Sequence, residues 1–185
     1  MKKRSILMLM WVALFSSVAF VSCDDDDDAA AELSADQQRV SEFMMKAAAS
    51  DMFEIQSGEL AKTKGTQQST KDFGQQLVTD HTKSSNEMKA LAAKMGITLP
   101  TALSADKQAM LTELNGLSGM AFDRRFAAMQ VTAHEEAVNL YETSEDNIEN
   151  DEVEAFINKT LPVLQMHLEH ARQHKTMIDG MPAGN

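Results

Sequence analysis

From Ala35 to Ile178 apolar residues recur every three or four positions through four long segments, and no stretch alternates apolar with polar as a strand requires. That periodicity restricts the chain to helices packed on helices. The first segment covers 35–64 and opens with "SADQ", where Ser34 stands at the capping position and Gln37, three residues on, can close a capping box. Gly65 ends it. The second covers 70–95 and stops at "GITLP", 96–100. A short helix follows Ser104, in an "LSAD" that echoes the one at Leu33; a shared capping solution explains the echo. "NGLSG", 115–119, breaks the chain before a third long helix over 120–144. The fourth covers 152–178, with Asp151 as its expected cap. Pro162 lies inside this helix and removes one backbone hydrogen bond, which predicts a bend.

Short turns at 65–69 and 145–150 join the helices in pairs, whereas the link at 96–118 is long and carries a helix of its own. The predicted fold is therefore all-α: a ferritin-like four-helix bundle with a short extra helix in the link between its second and third long helices.

Before the bundle comes "MKKRSILMLMWVALFSSVAFVSC". A basic start, an apolar run from Ile6 to Val21 and the chain's only cysteine read as a signal peptide over 1–22. "FVSC" resembles the lipobox of bacterial lipoproteins, so Cys23 is the expected lipidation site, and the membrane is reached through that anchor. A retained membrane helix is the alternative. Asp24–Asp28 follow as a self-repelling, solvated spacer. Acidic residues directly after a lipidated cysteine also resemble the surface-export signal of some Gram-negative lipoproteins. The expected organisation is a signal peptide over 1–22, lipidated Cys23 and acidic spacer over 23–33, bundle over 34–180 and tail over 181–185. The expected place is the cell envelope, as an outer-membrane lipoprotein facing the periplasm or the cell surface.

Loss of Lys2, Lys3 and Arg4 with the signal peptide leaves 14 basic against 28 acidic residues, a net charge of −14 with His neutral. Such a surface disfavours nucleic acid. A single cysteine excludes an internal disulfide, so the bundle must rest on its own core. A protein partner or a second copy of the chain stays open.

Several polar residues fall within the apolar stripes. Placed at 100° intervals, Asp51 and Glu54 lie inside the stripe of Val40, Phe43, Ala47, Ile55, Gly58 and Ala61. Asp80 and His81 flank that of Phe73, Leu77, Met88, Leu91 and Met95. His134 falls within the broad face of the third helix, which runs from Phe122 to Leu140. On the fourth helix His167 is nearest the stripe, His174 farther, and His170 is expected in solvent. At about 1.5 Å per residue, Glu54, His81, His134 and His167 share a level near mid-bundle. Buried carboxylates and imidazoles must be paired, hydrated or bound to metal. A metal-free hydrogen-bond network, a transition-metal site taking iron, manganese or zinc, and a proton-transfer or hydrolytic site all use these residue types. No phosphate loop, G-x-S-x-G, H-E-x-x-H or EF-hand occurs. The methionines follow core spacing and read as packing residues, not as copper ligands.

"FMMKAAASDMFEIQSGELA", "FGQQLVTDHTKSSNEMKALAAKMG", "FDRRFAAMQVTAHEEAV" and "FINKTLPVLQMHLEHA" resemble, in this order, the family called domain of unknown function 4142. The resemblance implies a ferritin-like bundle, often exported, and it directs attention to Glu54, Asp80, His81, His134 and His167, with Asp51 secondary. Where that family commonly has Asp before the third-helix histidine, this chain has Ala133, which argues against a symmetric two-metal site. The Glu-x-x-His pairs of di-iron bundles are missing too: Val78, Val131, Leu164, His167 and Ala171 stand three residues before the five histidines. The expected function is an envelope-tethered bundle, of unassigned activity, with a central carboxylate–histidine site able to hold a transition metal. The alternative is a non-catalytic structural or partner-binding lipoprotein with a metal-free polar core.

Overall fold

Of the five described helices, three start at a residue whose side chain takes up backbone amides that a helix end leaves unpaired. In the computed structural model, which describes residues 33–182, α1 spans Ala35–Lys64, α2 Gln68–Met95, α3 Ala105–Gly116, α4 Gly119–Glu145 and α5 Asp151–Asp179. The signal peptide, Cys23 and the aspartate run lie outside the described residues, as do the last three residues of the tail. The capping box forms as predicted: the Gln37 amide donates to Ser34 Oγ at 3.1 Å, and the Ser34 amide donates to Gln37 Oε1 at 2.8 Å. Ser104 caps α3 through the Lys107 amide. The cap of α5 is Asn150, one residue before the expected Asp151; its Oδ1 accepts from the amides of Glu152 and Val153 at 3.2 and 3.1 Å. Gly96 closes α2 in the left-handed conformation, φ 68°, which glycine adopts without steric cost. Helix α5 continues through Pro162. None of the described helices is long and apolar enough to cross a membrane.

Three tethers between helix ends establish the directions. In the α1–α2 turn, the Thr66 amide donates to buried Asp123, at the start of α4, at 3.1 Å, and the Thr66 hydroxyl donates to the same carboxylate. In the α4–α5 turn, the Glu149 amide donates to Asp36, at the start of α1, at 3.0 Å. Lys94, at the end of α2, pairs with Glu152, at the start of α5. Helix α4 therefore starts where α1 ends and runs back beside it. It follows that α2 and α4 point the same way, and the chain must return the length of the bundle, about 40 Å, between them. The link at 96–118 does this, with α3 laid against α1 and α4 on the way. The long crossover is the one predicted.

The core divides in two. One apolar cluster joins Phe43 and Met44 of α1, Met88 of α2, Tyr141 of α4 and Ile157 and Leu164 of α5. The other joins Phe53 and Ala61, Phe73 and Leu77, Phe122 to Ala133, and Ala171, with Leu111 and Leu114 of α3 added. On every long helix the polar residues singled out above lie at or near the change from one cluster to the other. The predicted stripes miss in places. Phe53 and Tyr141 are buried, at 1% and 2% exposure, although neither was assigned to a stripe. Ile55, Leu91, Met95, Val131 and Leu140 are only partly buried. A stripe centred from sequence alone takes no account of α3, whose docking buries Phe53.

Helices α1 and α2 touch backbone to backbone. A Cβ added to Gly58 would stand 2.8 Å from the Gly74 carbonyl oxygen, and one on Gly74 would stand 2.7 Å from both the Ala61 Cβ and the Gly58 carbonyl oxygen. Real Cβ atoms do not approach that closely, so a single methyl group must push the helices apart. Gly74→Ala is expected to destabilise the fold by about 1–3 kcal/mol despite the better helix propensity of alanine. Gly116→Ala, where the added Cβ has nothing within 4 Å, is the control and should be neutral or mildly stabilising. Urea midpoints for the two variants decide; equal midpoints would show that the close crossing is not needed.

Candidate metal centre

The close crossing of α1 and α2 brings Asp51 against His81. His81 Nδ1–H donates to Asp51 Oδ1 at 2.8 Å, and both side chains are almost wholly buried, at 3% and 4% exposure. From α4, His134 Nδ1–H donates to the carbonyl oxygen of Gln130, one turn earlier, at 2.9 Å. From α5, His167 Nε2–H donates to Asp80 Oδ2 at 2.9 Å. Each ring thus has one nitrogen turned to an acceptor. The other nitrogen of each, Nε2 of His81, Nε2 of His134 and Nδ1 of His167, is buried and has no hydrogen-bond partner.

The three rings face one another. Their centroids form a near-equilateral triangle: His81 to His134 5.7 Å, His81 to His167 5.5 Å and His134 to His167 5.5 Å. One nitrogen from each lies within 4.8 Å of one from the other two. Beside them Glu54 is 1% exposed, and both its carboxyl oxygens lack partners. Its Oε1 is 3.9 Å from His134 Nδ1, too far to compete with the Gln130 carbonyl. Of the residues expected at the site, His81, His134 and His167 form its centre. Asp51 and Asp80 stand behind His81 and His167, and Glu54 flanks His134.

Burial dominates the protonation of these groups. It lowers His134 to about 3, helped by the nearby His81 and His167. It lowers His167 to about 4, with His81 adding to the effect and Asp80 opposing it. Both rings are therefore neutral at physiological pH and keep a lone pair. His81 differs: burial pulls it down, but its hydrogen bond to Asp51 and the charges of Glu54, Asp51 and Asp80 outweigh that, and its pKa is raised. Burial raises Glu54 to about 7 against the attraction of His81, Gln130 and Lys107.

The sequence model of the family described as domain of unknown function, DUF4142, matches residues 25–174, most of the chain and all of the centre. The chain belongs to the DUF4142 family. Among curated proteins none is similar enough to match. The DUF4142 fold resembles the crystal structure of a DUF305 fragment from Deinococcus radiodurans, with a TM-score of 0.67 and 12% identity over 77% of this chain and 97% of that one. At that identity the likeness concerns the fold alone.

Some residues of the DUF4142 domain gain importance only in the structure. Gln130 is fully buried and donates from Nε2 to Ser57 Oγ at 2.9 Å, which joins α4 to α1 next to Glu54. His174 is buried; its Nε2 lies 3.2 Å from Thr70 Oγ1, and burial lowers its pKa to about 4. His170 is not simply in solvent. Its ring packs 4.3 Å from that of Phe73, and its Nδ1 lies 3.2 Å from Gln76 Oε1. Neither joins the triangle. Two turns of helix, about 10 Å, separate His174 from His167. The signal for Gln130 was its place one turn before His134, on the same buried face.

Proposed function

We propose that this DUF4142 protein is a ferritin-like, envelope-tethered bundle that binds one divalent transition metal ion through His81, His134 and His167. The observation that carries the reading is that three buried imidazoles place ring nitrogens within 4.8 Å of one another, and each ring keeps one buried nitrogen without a hydrogen-bond partner. A metal-free network would leave all three, and both oxygens of Glu54, without the partners that buried polar atoms need.

The donor set fits such an ion. Imidazole suits zinc and iron, and three histidines with an open fourth position is an arrangement zinc accepts. Nitrogens about 2.0–2.1 Å from a tetrahedral ion sit roughly 3.3 Å apart, so the rings must close by up to about 1.5 Å from their present spacing. The acceptors behind the rings support the same reading. Metal-bound histidines normally donate their other N–H to a carboxylate or carbonyl, which holds the tautomer and orientation. Asp51, the Gln130 carbonyl and Asp80 occupy those places. Glu54 is the buried carboxyl beside the rings that is not already hydrogen-bonded to one of them, and it could offset the ion's charge or exchange a proton with a water bound to it. The ion would be iron, manganese or zinc, and imidazole as the whole first set of ligands favours zinc or iron over manganese. The signal peptide and lipidation at Cys23 belong to the proposal as the means of tethering. Cys23→Ser should release the domain from membranes, and intact-mass analysis of the native protein should show the acylated chain lacking 1–22.

The test is thermal melting of the protein, first stripped by chelator, with Zn²⁺, Fe²⁺ or Mn²⁺ added. At 100 times its Kd a ligand that binds only the native state stabilises by about 2.7 kcal/mol, which for a chain of this size raises Tm by roughly 5–11 °C. His134→Ala and His167→Ala should remove the response. Identical melts with and without each metal would defeat the proposal and leave a partner-binding bundle as the better reading.

A further inference from the structure

The centre is sealed from solvent on nearly every side. Asp51, Glu54, His81, Gln130, His134 and His167 are at most 3% exposed. Asp80 is different: its side chain is 34% exposed, while the His167 ring to which it is hydrogen-bonded is 0% exposed. Asp80 is thus a single residue with one carboxylate reaching water and the same carboxylate holding a ring of the centre.

Asp80 also lines a small cleft between α2 and α5, with a volume of about 80 Å³, enough for a few waters. Lys83, Ser84, Glu87, Lys159, Thr160 and Val163 share that cleft, so its charges are mixed. Ser84 lies one turn from Asp80, and its buried hydroxyl places one polar group on the wall leading inward. At the mouth Lys159 is held by Glu87 at 2.6 and 2.8 Å, which draws the ammonium group into an ion pair. The larger cavity on the opposite side, about 310 Å³ between α1, α3 and α4, offers no such path. Its inner wall includes Phe53 and Ala133, and none of the centre's polar groups lines it. A cation crossing that wall would lose its waters with nothing to replace them, at a cost of many kcal/mol.

We infer that the groove between α2 and α5 is the route by which a metal ion reaches the three imidazoles, with Asp80 taking the hydrated cation from solvent. This rests on the metal-binding reading above. Asp80 supplies an anionic oxygen where the ion begins to shed water, and its link to His167 lets capture of the ion loosen that ring, which swings to expose its free nitrogen. The ion leaves by the same path, so the groove governs the rates of binding and release together.

The experiment is stopped-flow mixing of the full chain with Co²⁺, whose visible absorption reports coordination, followed by release into excess chelator. Ser84→Leu fills the cleft and touches none of the three rings' hydrogen bonds. It should slow both association and dissociation by about tenfold or more while Kd stays within about threefold. Val163→Trp, at the partly exposed mouth, should act in the same direction and covers the case in which Ser84→Leu fails to fold. Asp80→Asn keeps an oxygen for His167 but removes the charge, and should slow association by about tenfold. Leu103→Trp, which narrows the opposite cavity, should leave both rates unchanged. Wild-type rates in Ser84→Leu and Val163→Trp would overturn the inference. So would a raised Kd with association unaltered, the signature of a merely structural change, or slowing by Leu103→Trp alone. Failure of the wild type to bind Co²⁺ at all is a separate result, which strikes the metal-binding reading itself.

Discussion

At pH 8 and without metal, Glu54→Gln is expected to be more stable than the parent protein by about 3 kcal/mol, and to bind metal less tightly. The pKa of Glu54 is raised from 4.5 to about 7 by burial. A carboxyl raised in this way is neutral in the folded chain while already ionised in the unfolded one. Its contribution to stability is fully present below pH 4.5, falls as pH rises, and is lost above about 7. The loss over that interval is about 2.5 pH units' worth of 1.36 kcal/mol each. Gln has nearly the same shape and never ionises, so it escapes that loss. The difference between variant and parent should therefore vanish near pH 4.5 and grow through pH 7. With Zn²⁺ present the order should reverse, because the amide no longer offsets the charge of the ion. Urea unfolding at pH 4.5 and 8, with and without Zn²⁺, measures all four values. A variant less stable than the parent at pH 8 without metal would show that Glu54 is held by partners and not strained by burial.

The second large effect is acid unfolding between about pH 6.5 and 4. His134 is lowered to about 3, and His167 and His174 to about 4, in each case chiefly by burial. A base with a depressed folded pKa stabilises the protein above its unfolded value, near 6.5, and that stability is lost as pH falls toward the folded value. Near pH 5 the unfolded chain therefore holds about three more protons at these histidines. Glu54 works in the opposite sense, since its raised pKa keeps a proton on the folded chain. The net difference is about two protons, or roughly 2.7 kcal/mol per pH unit. His81, also raised, softens the slope toward its upper end. Denaturant midpoints at pH 7, 6 and 5 should fall steeply. A flat profile would mean that His134, His167 and His174 are not buried neutral, and the centre as described, which needs the first two, would not stand. His174→Gln should remove about one proton from the slope and leave the metal response intact, which separates that histidine from the triangle.

Much of the architecture was legible in the chain because punctuation and period agree. Ser34 with Gln37, Gly65, Gly96 and Ser104 mark helix ends by local chemistry, and the boundaries they predict lie within two residues of those observed. The long link announced the crossover. Which polar residues point inward was legible to about half a helical face. Asp80 and His81 are neighbours equally far from the stripe, yet His81 is buried and Asp80 reaches solvent. What separates them is the crossing at Gly58 and Gly74, which rolls α2 toward α1. Two glycines 16 residues apart carry no sign in sequence that they meet. Phe53 and His174 owe their burial to partners that a single helix does not reveal: Phe53 is covered by α3, and His174 is taken up by Thr70 at the start of α2. The division of labour within the centre was the least legible. Five or six polar residues at one level do not reveal that three histidines face one another while two aspartates stand behind them.

The belt of polar residues that cuts the apolar core in two has a consequence for how the bundle holds together. Each apolar half draws on all four long helices, so each can keep its amides protected when the other opens. Between them the three rings and Glu54 contribute little cohesion while their polar atoms lack partners. Without metal, hydrogen exchange of the two halves should report two opening free energies, one for the end with Phe43 and Ile157 and another for the end with Phe73 and Phe126. An ion gripped by α2, α4 and α5 at the seam would make separate opening of either half break a coordinate bond, and the two free energies would merge. An ion held at the seam would thus command the cooperativity of the bundle that the same seam weakens.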